Sequence, residues 1–495
     1  MNESVEHAGG ALPSSVNLRD FPARKRAVYE NAERVANERA EWIARNAAYY
    51  DDDYRYLRFI IPDGACVLDL GCGSGQLLAA LKPARGVGID FSPAMIAKAR
   101  KDLPDLEFMC GDIEDPAVLD QIEGDFDFIV ISDTIGMLED IEEALQLLHR
   151  LCTPATRLVI AYFSPLWEPL VNLASRIGWR MPQPEMSLIS STDFLNIMDL
   201  TDFEPIRMET RQLTPFRLFG LGRLINRYIA PLPLIRGLCL RTYLVARSLK
   251  VARPKDLTTT ILIPCRNESG NIERAITEMP RFGRHQEIIF VEGNSKDNTY
   301  EECLRVQKIY EGQWDIKVLR QDGKGKGDAV RKGFDAAACD ILMILDADLT
   351  VPAQALPKFY RAIVEGKGEF INGTRLVYPM ENEAMRLLNH IANRTFAKIF
   401  SYLLNQRFTD TLCGTKVLTR AAYRKIVADR AYFGDFDPFG DFDLIFGAAK
   451  QSLCIVETPV HYKARTYGET QISRFRDGLL LLRMVAFAFQ KLKAI

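Results

Sequence analysis

Strand-like apolar runs alternate with helical patterns twice along this chain, once from Ala65 and again from Thr258. In the first series the runs fall at 65–70, 86–90, 106–109, 126–132 and 157–163; in the second they fall at 258–264, 287–291, 315–319, 341–345 and 369–373. A strand-helix-strand rhythm needs a crossover between successive strands, so each series builds a parallel sheet with helices on both faces. A chain of 495 residues is too long for a single core. The expected fold class is therefore α/β, with two domains in series. Runs at 203–210 and 241–247 are read as an edge hairpin closing the first sheet. The expected organisation is a flexible tail over 1–17, a first domain over 18–250, a linker over 251–257 and a second domain over 258–495. Within the first domain, residues 18–60 combine charge, aromatic rings and helical spacing and are read as a lid or cap.

Bulk composition narrows the setting. The chain is 47% hydrophobic and 26% charged, the balance of an ordinary globular protein. Its net charge of −2 offers nothing to attract nucleic acid. Ten cysteines occur with no Cys-x-x-Cys pair, which suits reduced thiols better than a disulfide framework or a zinc site. The N-terminus lacks a basic-then-apolar leader, and no stretch reaches the roughly 18–20 apolar residues of a membrane span. The expectation is a cytoplasmic protein, able to lie at the inner face of a membrane. Two stretches suit either peripheral membrane contact or packing on domain surfaces. Residues 478–489 are apolar but broken by Arg483 and flanked by Arg474, Arg476, Lys491 and Lys493, while Gln212–Lys255 holds basic and apolar side chains and no acid.

Residues 67–75 read Val-Leu-Asp-Leu-Gly-Cys-Gly-Ser-Gly, a strand running into a glycine turn. Gly71, Gly73 and Gly75 allow a sharp turn and a close backbone approach to a cofactor. Nicotinamide-type fingerprints place their third glycine one residue later. With Asp69 before the turn, Asp90 ending the next strand and Asp112 after the third, the first domain resembles the class I S-adenosylmethionine-dependent methyltransferases, whose sheet is Rossmann-like. The resemblance spans about residues 40–250. It implies that Asp90 bonds the ribose hydroxyls and that Asp112 contacts the adenine of S-adenosylmethionine. After the fourth strand the chain reads Ser-Asp-Thr-Ile-Gly, not the Asn/Asp-Pro-Pro-Tyr of amino-directed nucleic-acid methylases, which argues against DNA. Tyr162, Trp167 and Glu168 are candidates for an acceptor pocket, and His149 is read as structural.

Residues 342–350 read Leu-Met-Ile-Leu-Asp-Ala-Asp-Leu-Thr, a buried strand ending in two carboxylates. Hard oxygen ligands such as Asp346 and Asp348 suit Mg²⁺ or Mn²⁺, which would neutralise a diphosphate leaving group. Together with Pro264, Asn267 and Glu268 at the end of the first strand, they make residues 257–480 resemble the inverting family-2 glycosyltransferases of the GT-A fold. The likeness is to the branch that makes polyprenyl-phosphate sugars. It implies a nucleotide-sugar site using Pro264, Asn267, Glu268, Glu292, Lys324, Lys326 and Asp346. The family's Asp-Asp-Gly-Ser becomes Glu292-Gly293-Asn294-Ser295 here, so Glu292 replaces one acid and Gly293 removes the other. Asp297 is expected to cap the following helix.

Acceptor-side likenesses follow. Gly373-Thr374-Arg375, the block around Asp410, the acids Asp441 and Asp443, and the Tyr462–Thr470 loop with Arg465 appear in family order. Arg375, Arg465, Arg474 and Arg476 are candidates for phosphate oxygens, whose geometry guanidinium groups match. A hydroxyl acceptor needs a general base, and Asp410, Asp441 or Asp443 are the candidates; Arg465 borders the same reaction centre. A phosphate acceptor is already an anionic nucleophile and needs cations instead, which tilts the reading toward a polyprenyl phosphate. The expectation is a bifunctional enzyme that transfers a sugar and a methyl group. The competing readings are a glycosyltransferase whose first domain is only a binding module, and a non-catalytic scaffold.

Overall fold

The computed structural model describes residues 21–184, 186–378, 387–434, 440–463, 465, 467 and 474–495, with backbone alone at 387–393 and 474–477. The expected 1–17 tail lies outside the described residues. The chain divides into two compact units, Met1–Val251 and Ala252–Ile495.

The first unit is built on seven strands: β1 (Cys66–Leu70), β2 (Arg85–Asp90), β3 (Glu107–Cys110), β4 (Phe128–Ser132), β5 (Arg157–Phe163), β6 (Phe203–Arg211) and β7 (Arg241–Ser248). Their order is β3-β2-β1-β4-β5-β7-β6. Strands β1 to β5 run parallel, and β7 is antiparallel to both β5 and β6. The expected closing pair forms, but not as a hairpin. Its later strand lies inside the sheet, its earlier strand takes the edge, and residues 212–240 make the excursion between them. Near-continuous apolar strands are what a sheet covered on both faces requires. Leu68, Ile129, Ile131 and Ile160 accordingly pack with Phe194 and Met198 from the helix Ser191–Leu200.

Residues 18–60, read as a lid or cap, contain three helices, Ala23–Val35, Arg39–Arg45 and Ala47–Ile60. The first is fastened by polar contacts rather than by a wide apolar face. Arg24 donates to the Gly136 and Leu138 carbonyls at 2.6 and 3.1 Å. Glu33 accepts from the Ser92 hydroxyl and the Ala94 amide. Ser92 in turn caps the helix Pro93–Asp102, whose fixed-φ proline suits the first position.

The second unit carries β8 (Thr259–Cys265), β9 (Gln286–Glu292), β10 (Asp315–Arg320), β11 (Ile341–Ile344), β12 (Phe370–Thr374), β13 (Lys416–Thr419) and β14 (Ile455–Pro459). Their order is β10-β9-β8-β11-β13-β12-β14. The first four are parallel, β13 is antiparallel to β11 and β12, and β14 returns parallel to β12. Strands β13 and β14 were not among the expected runs. Asn298, not the expected Asp297, holds the N-cap of the helix Thr299–Ile309; Asp297, one residue earlier, accepts from the Thr299 amide and hydroxyl. The last helix, Arg474–Ala488, buries Leu481, Met484 and Ala488 and exposes Leu479 and Leu482. No helix among the described residues is long and apolar enough to cross a membrane.

A buried charge network ties the first unit together. Arg241 on β7 has no exposed surface and pairs with Asp53 at 3.2 Å and with Asp133. Tyr243 donates its hydroxyl to the same Asp53 oxygen at 2.5 Å. Burial raises the Asp53 pKa, and the Arg241 charge works against that rise. Removing one partner of such a pair strands the other without compensation, at a cost of about 3–5 kcal/mol. Arg241→Met is therefore expected to lower the calorimetric transition of the N-terminal unit by roughly 10 °C. Adding Asp53→Asn should restore part of that loss; an unchanged transition in the single variant would show that the network contributes no stability.

Candidate functional site

The chemistry-bearing residues of each unit collect where parallel strands end. In the first unit the turn after β1 passes through Gly71, Gly73 and Gly75 at φ +80°, +54° and +81°. A Cβ on Gly71 would collide with Thr134, and one on Gly73 would lie 2.9 Å from Arg39 Nε. Asp90 accepts from the Gly73 amide at 2.8 Å and from the Ser92 amide at 2.9 Å, so one carboxylate locks the glycine turn to the end of β2. Asp112 accepts from the Glu114 amide and pairs with Lys25 at 2.5 Å.

Gly71, Gly73, Asp90 and Asp112 line one cavity of about 120 Å³, beneath Lys25, Val28 and Arg39. Two of the expected residues stand behind it. Gly75 leaves room for Phe108 and Leu103, and Asp69 is 2% exposed with one carboxylate oxygen lacking a hydrogen bond. Burial, followed by the Asp90 charge, pushes the Asp69 pKa up to about 7. Arg39 was not anticipated. Its Nε is buried without a hydrogen bond, yet in sequence it is one of several arginines in a helical run. The glycine cradle, the two lining carboxylates and the orphan Arg39 nitrogen together fit a nucleoside cofactor with an anionic end.

In the second unit four charges from four segments alternate in sign. Lys326 lies 2.7 Å from Asp346 and 3.6 Å from Asp441, and Lys416 lies 3.4 Å from Asp441. Burial disfavours the charged form of Asp346, but Lys326 and then Lys416 and Arg375 hold its pKa below the usual carboxylate range. The same pairing holds the Lys326 pKa up against its own burial. A side chain at Gly414 would strike the Asp346 carboxylate and approach Lys326 Nζ to 2.6 Å, and one at Gly440 would strike the Gly327 amide. Both glycines therefore let loops close onto this centre.

The neighbouring carboxylate, Asp348, accepts from the Thr350 amide and hydroxyl through one oxygen and pairs with Arg465 at 2.7 Å through the other. Asp346 and Asp348 present hard oxygens on one turn. Among the described residues no group of three side chains forms a metal site. That donor set fits a Mg²⁺- or Mn²⁺-type ion that takes one or two carboxylates and completes its shell from substrate phosphates and water.

The three candidate bases separate by geometry. Asp410 is 3% exposed and gives both oxygens to Arg375 in a two-pronged pair at 2.7 Å, with further bonds from the Arg375 and Leu412 amides. Burial opposes its charge, but Arg375 keeps the pKa low. Arg375 is thereby held on Asp410, with Tyr462 stacked at 5.2 Å. Asp443 faces away, toward Arg331 and Arg430. Asp441 is 6% exposed and has one oxygen with no hydrogen bond.

At the head of β8, Pro264 pairs in register with Val291. Asn267 binds the turn at Ser295 and Lys296, and Glu268 accepts from Asn271. Burial raises the Glu268 pKa, with the nearby charge of Asp348 adding to it. Glu292 is buried and accepts from the Ser295 amide in its own turn. Lys324 is exposed. Tyr467 contacts Ser269 through its hydroxyl at 3.1 Å. The side chains of Arg474 and Arg476, and residues 468–470, lie outside the described residues. Lys416 and Glu457 were not anticipated. Glu457 on β14 accepts from the Thr409 and Asp410 amides and so fixes the loop that carries Asp410.

The raised pKa of Asp69 has a measurable consequence. Between about pH 4 and pH 7 the native state holds a proton that the unfolded chain has released, so stability falls as pH rises through that interval. Asp69→Asn should gain stability relative to the parent on going from pH 4 to pH 8, by up to roughly 4 kcal/mol. Calorimetry at both pH values checks it, and an advantage that does not grow with pH would contradict the assignment.

The family model for a methyltransferase domain matches residues 41–207, and that for glycosyl transferase family 2 matches residues 260–430. A dolichol-phosphate mannosyltransferase from Pyrococcus furiosus is 32% identical over 24% of this chain and 34% of its own length. This chain therefore spans about a third of that relative. A dolichyl-phosphate hexose transferase from Haloferax volcanii is 28% identical over 43% of this chain and 85% of its own length. Among solved structures, a SAM-dependent methyltransferase from Thermotoga maritima is 18% identical, covers 44% of this chain and 99% of its own, and has a TM-score of 0.35. The chain joins two transferase domains, a methyltransferase domain and, after it, a glycosyltransferase domain of family 2.

Proposed function

We propose that the C-terminal domain transfers a sugar with inversion from a nucleotide-sugar to a polyprenyl phosphate, and that the N-terminal domain transfers a methyl group from S-adenosylmethionine. The observation that carries the first half is the cation-carboxylate chain around Lys326 at the end of β11. A divalent ion held by Asp346 and Asp348 would neutralise the diphosphate as it leaves. Lys326 stands beside Asp346 and steadies the same charge. Arg465, already on Asp348, places a guanidinium beside the donor phosphates. Asn267 and Glu268 shape the nucleotide side. The likeness to a dolichol-phosphate mannosyltransferase and a dolichyl-phosphate hexose transferase supports a lipid phosphate as acceptor. Its oxygen needs no general base, so cations can replace one. For a hydroxyl acceptor Asp441 is the base, because Asp410 is committed to Arg375 and Asp443 faces other arginines.

In the N-terminal domain the cofactor supplies an activated methyl group when bound. Gly71 and Gly73 admit it to the backbone, Asp90 and Asp112 face the ribose and adenine, and Arg39 faces the methionine carboxylate. Exposed apolar residues between Phe216 and Leu238, with Arg217, Arg223, Arg227 and Arg236 among them, support peripheral contact with an anionic membrane at its cytoplasmic face.

Asp346→Ala is expected to lower sugar transfer at least 100-fold, measured with UDP- and GDP-sugars in Mn²⁺, while S-adenosylmethionine binding persists in calorimetry. Asp90→Ala should give the opposite pattern. Asp441→Asn should cost far more transfer activity than Asp443→Asn, and equal losses would remove Asp441 from the reaction centre. Leu234→Glu should weaken co-sedimentation with anionic vesicles; undiminished binding would exclude this surface as the contact.

A further inference from the structure

Beside the cofactor cavity the N-terminal unit holds a second, larger one of about 660 Å³. The two share Tyr50, Asp133, Met181 and Gln183 in their linings. Asp133 stands at that junction at φ +61°, fixed there by Arg241. Most of the rest of the larger cavity's lining is apolar. Leu170, Leu173 and Ile177 line it from the helix Glu168–Arg176 and the turn that follows, and Trp42, Trp167 and Trp179 add ring faces. Trp167 was anticipated as an acceptor-side residue. Tyr162, named with it, is instead packed in the core beside Phe194, and Glu168 is not in the lining.

Two features distinguish this cavity from a packing defect. First, its lining is uncovered: Leu173 is 52% exposed and Trp179 is 62% exposed. Large apolar groups gathered around an open cavity mark a binding site more often than chance exposure. Second, its charge has one sign. Arg45, Arg180 and Arg217 line it, and among the described residues Asp133 is its only carboxylate, already paired with Arg241. Arg45 lies over the Trp42 ring at 4.5 Å and Arg180 over the Phe163 ring at 4.8 Å, so these cations are seated on the apolar wall itself.

We propose that this cavity binds the methyl acceptor and that the acceptor is an anionic amphiphile, with an aliphatic chain against Leu170, Leu173 and Trp179 and a negative head on Arg45 and Arg180. The assignment rests on the reading of the adjoining cleft as the S-adenosylmethionine site. In the transfer, a nucleophilic atom of the head gives an electron pair to the methyl carbon. The sulfur-methyl bond breaks with its pair going to sulfur, leaving S-adenosylhomocysteine, and any proton on the nucleophile passes to water. Tyr50 and Asp133, common to both cavities, border the point where head and methyl meet.

Three of the chain's four tryptophans line this cavity, which makes intrinsic fluorescence a direct probe. The full chain carrying Trp314→Phe is titrated below micellar concentrations with dodecyl phosphate, octyl phosphate, dodecanol and inorganic phosphate. Dodecyl phosphate should shift the emission to the blue. Since each buried methylene tightens binding about threefold to fourfold, it should bind at least tenfold more tightly than octyl phosphate. Dodecanol should bind at least tenfold more weakly than dodecyl phosphate, and inorganic phosphate should leave the spectrum unchanged. Leu173→Arg should abolish the shift, Arg180→Glu should erase the preference for phosphate over alcohol, and Leu234→Glu, outside the cavity, should change neither.

Absence of a shift, equal affinity for the alcohol, or equal damage from Leu234→Glu would overturn the proposal, the last by showing that lipid coats the surface rather than entering. Calorimetry with S-adenosylmethionine on the same samples separates the two readings. Cofactor binding without an amphiphile response removes this inference alone. An amphiphile response without cofactor binding removes the methyltransferase assignment, and with it the role of acceptor.

Discussion

The row Lys416–Asp441–Lys326–Asp346 organises the C-terminal domain. Each charge comes from a different segment: the start of β13, the N-cap of the helix Phe442–Lys450, the start of the helix Lys326–Asp335, and the end of β11. None of these segments reaches its neighbour by sequence proximity. Opposite charges at 2.7–3.6 Å, buried at Lys416 and Asp441 and half-buried at Lys326 and Asp346, hold them together more strongly than a fully exposed pair would. Such a row also presets electrostatics. A group entering beside Asp346 meets cations already in place and need not wait for them to reorganise, which is the general advantage of a fixed polar site.

Both domains use the ends of parallel strands, where the chain leaves the sheet and backbone amides face outward. They fill that place differently. In the N-terminal unit the backbone of Gly71 and Gly73 forms the wall, and a single carboxylate, Asp90, holds it in shape. In the C-terminal unit side chains form the wall, and glycines at 414 and 440 only clear space for them. The first arrangement suits a neutral ring system lying along a turn, and the second suits a cluster of phosphates and metal.

Most of the strands were legible because a strand buried on both faces must be apolar along its length. That is why Val67–Leu70 and Ile341–Ile344 stand out. Strand β13 escaped notice because it is four residues long and opens with a buried lysine, and β14 because its acid, Glu457, serves a loop far away in sequence. Candidate site residues on glycine turns and strand ends were legible because they directly follow those strands. Pairings were not. Arg375 and Asp410 are 35 residues apart, and nothing in either segment announces that each consumes the other. Asp441 and Asp443 look alike in sequence, but two residues at the start of a helix turn one toward Lys326 and the other toward Arg331. Arg39 carries no local signal at all, since its meaning comes from a glycine it covers.

The placement of β7 has a consequence for how the chain comes off the ribosome. It is the last strand of the N-terminal sheet in chain order, yet it sits between β5 and β6. Until it emerges, β5 has an open edge, β6 has no partner, and Asp53 lacks the Arg241 that will share its burial. The nascent domain therefore cannot finish by simply adding strands as they appear. It must keep a gap in the sheet through the whole 212–240 excursion and then admit a strand from the end of the domain.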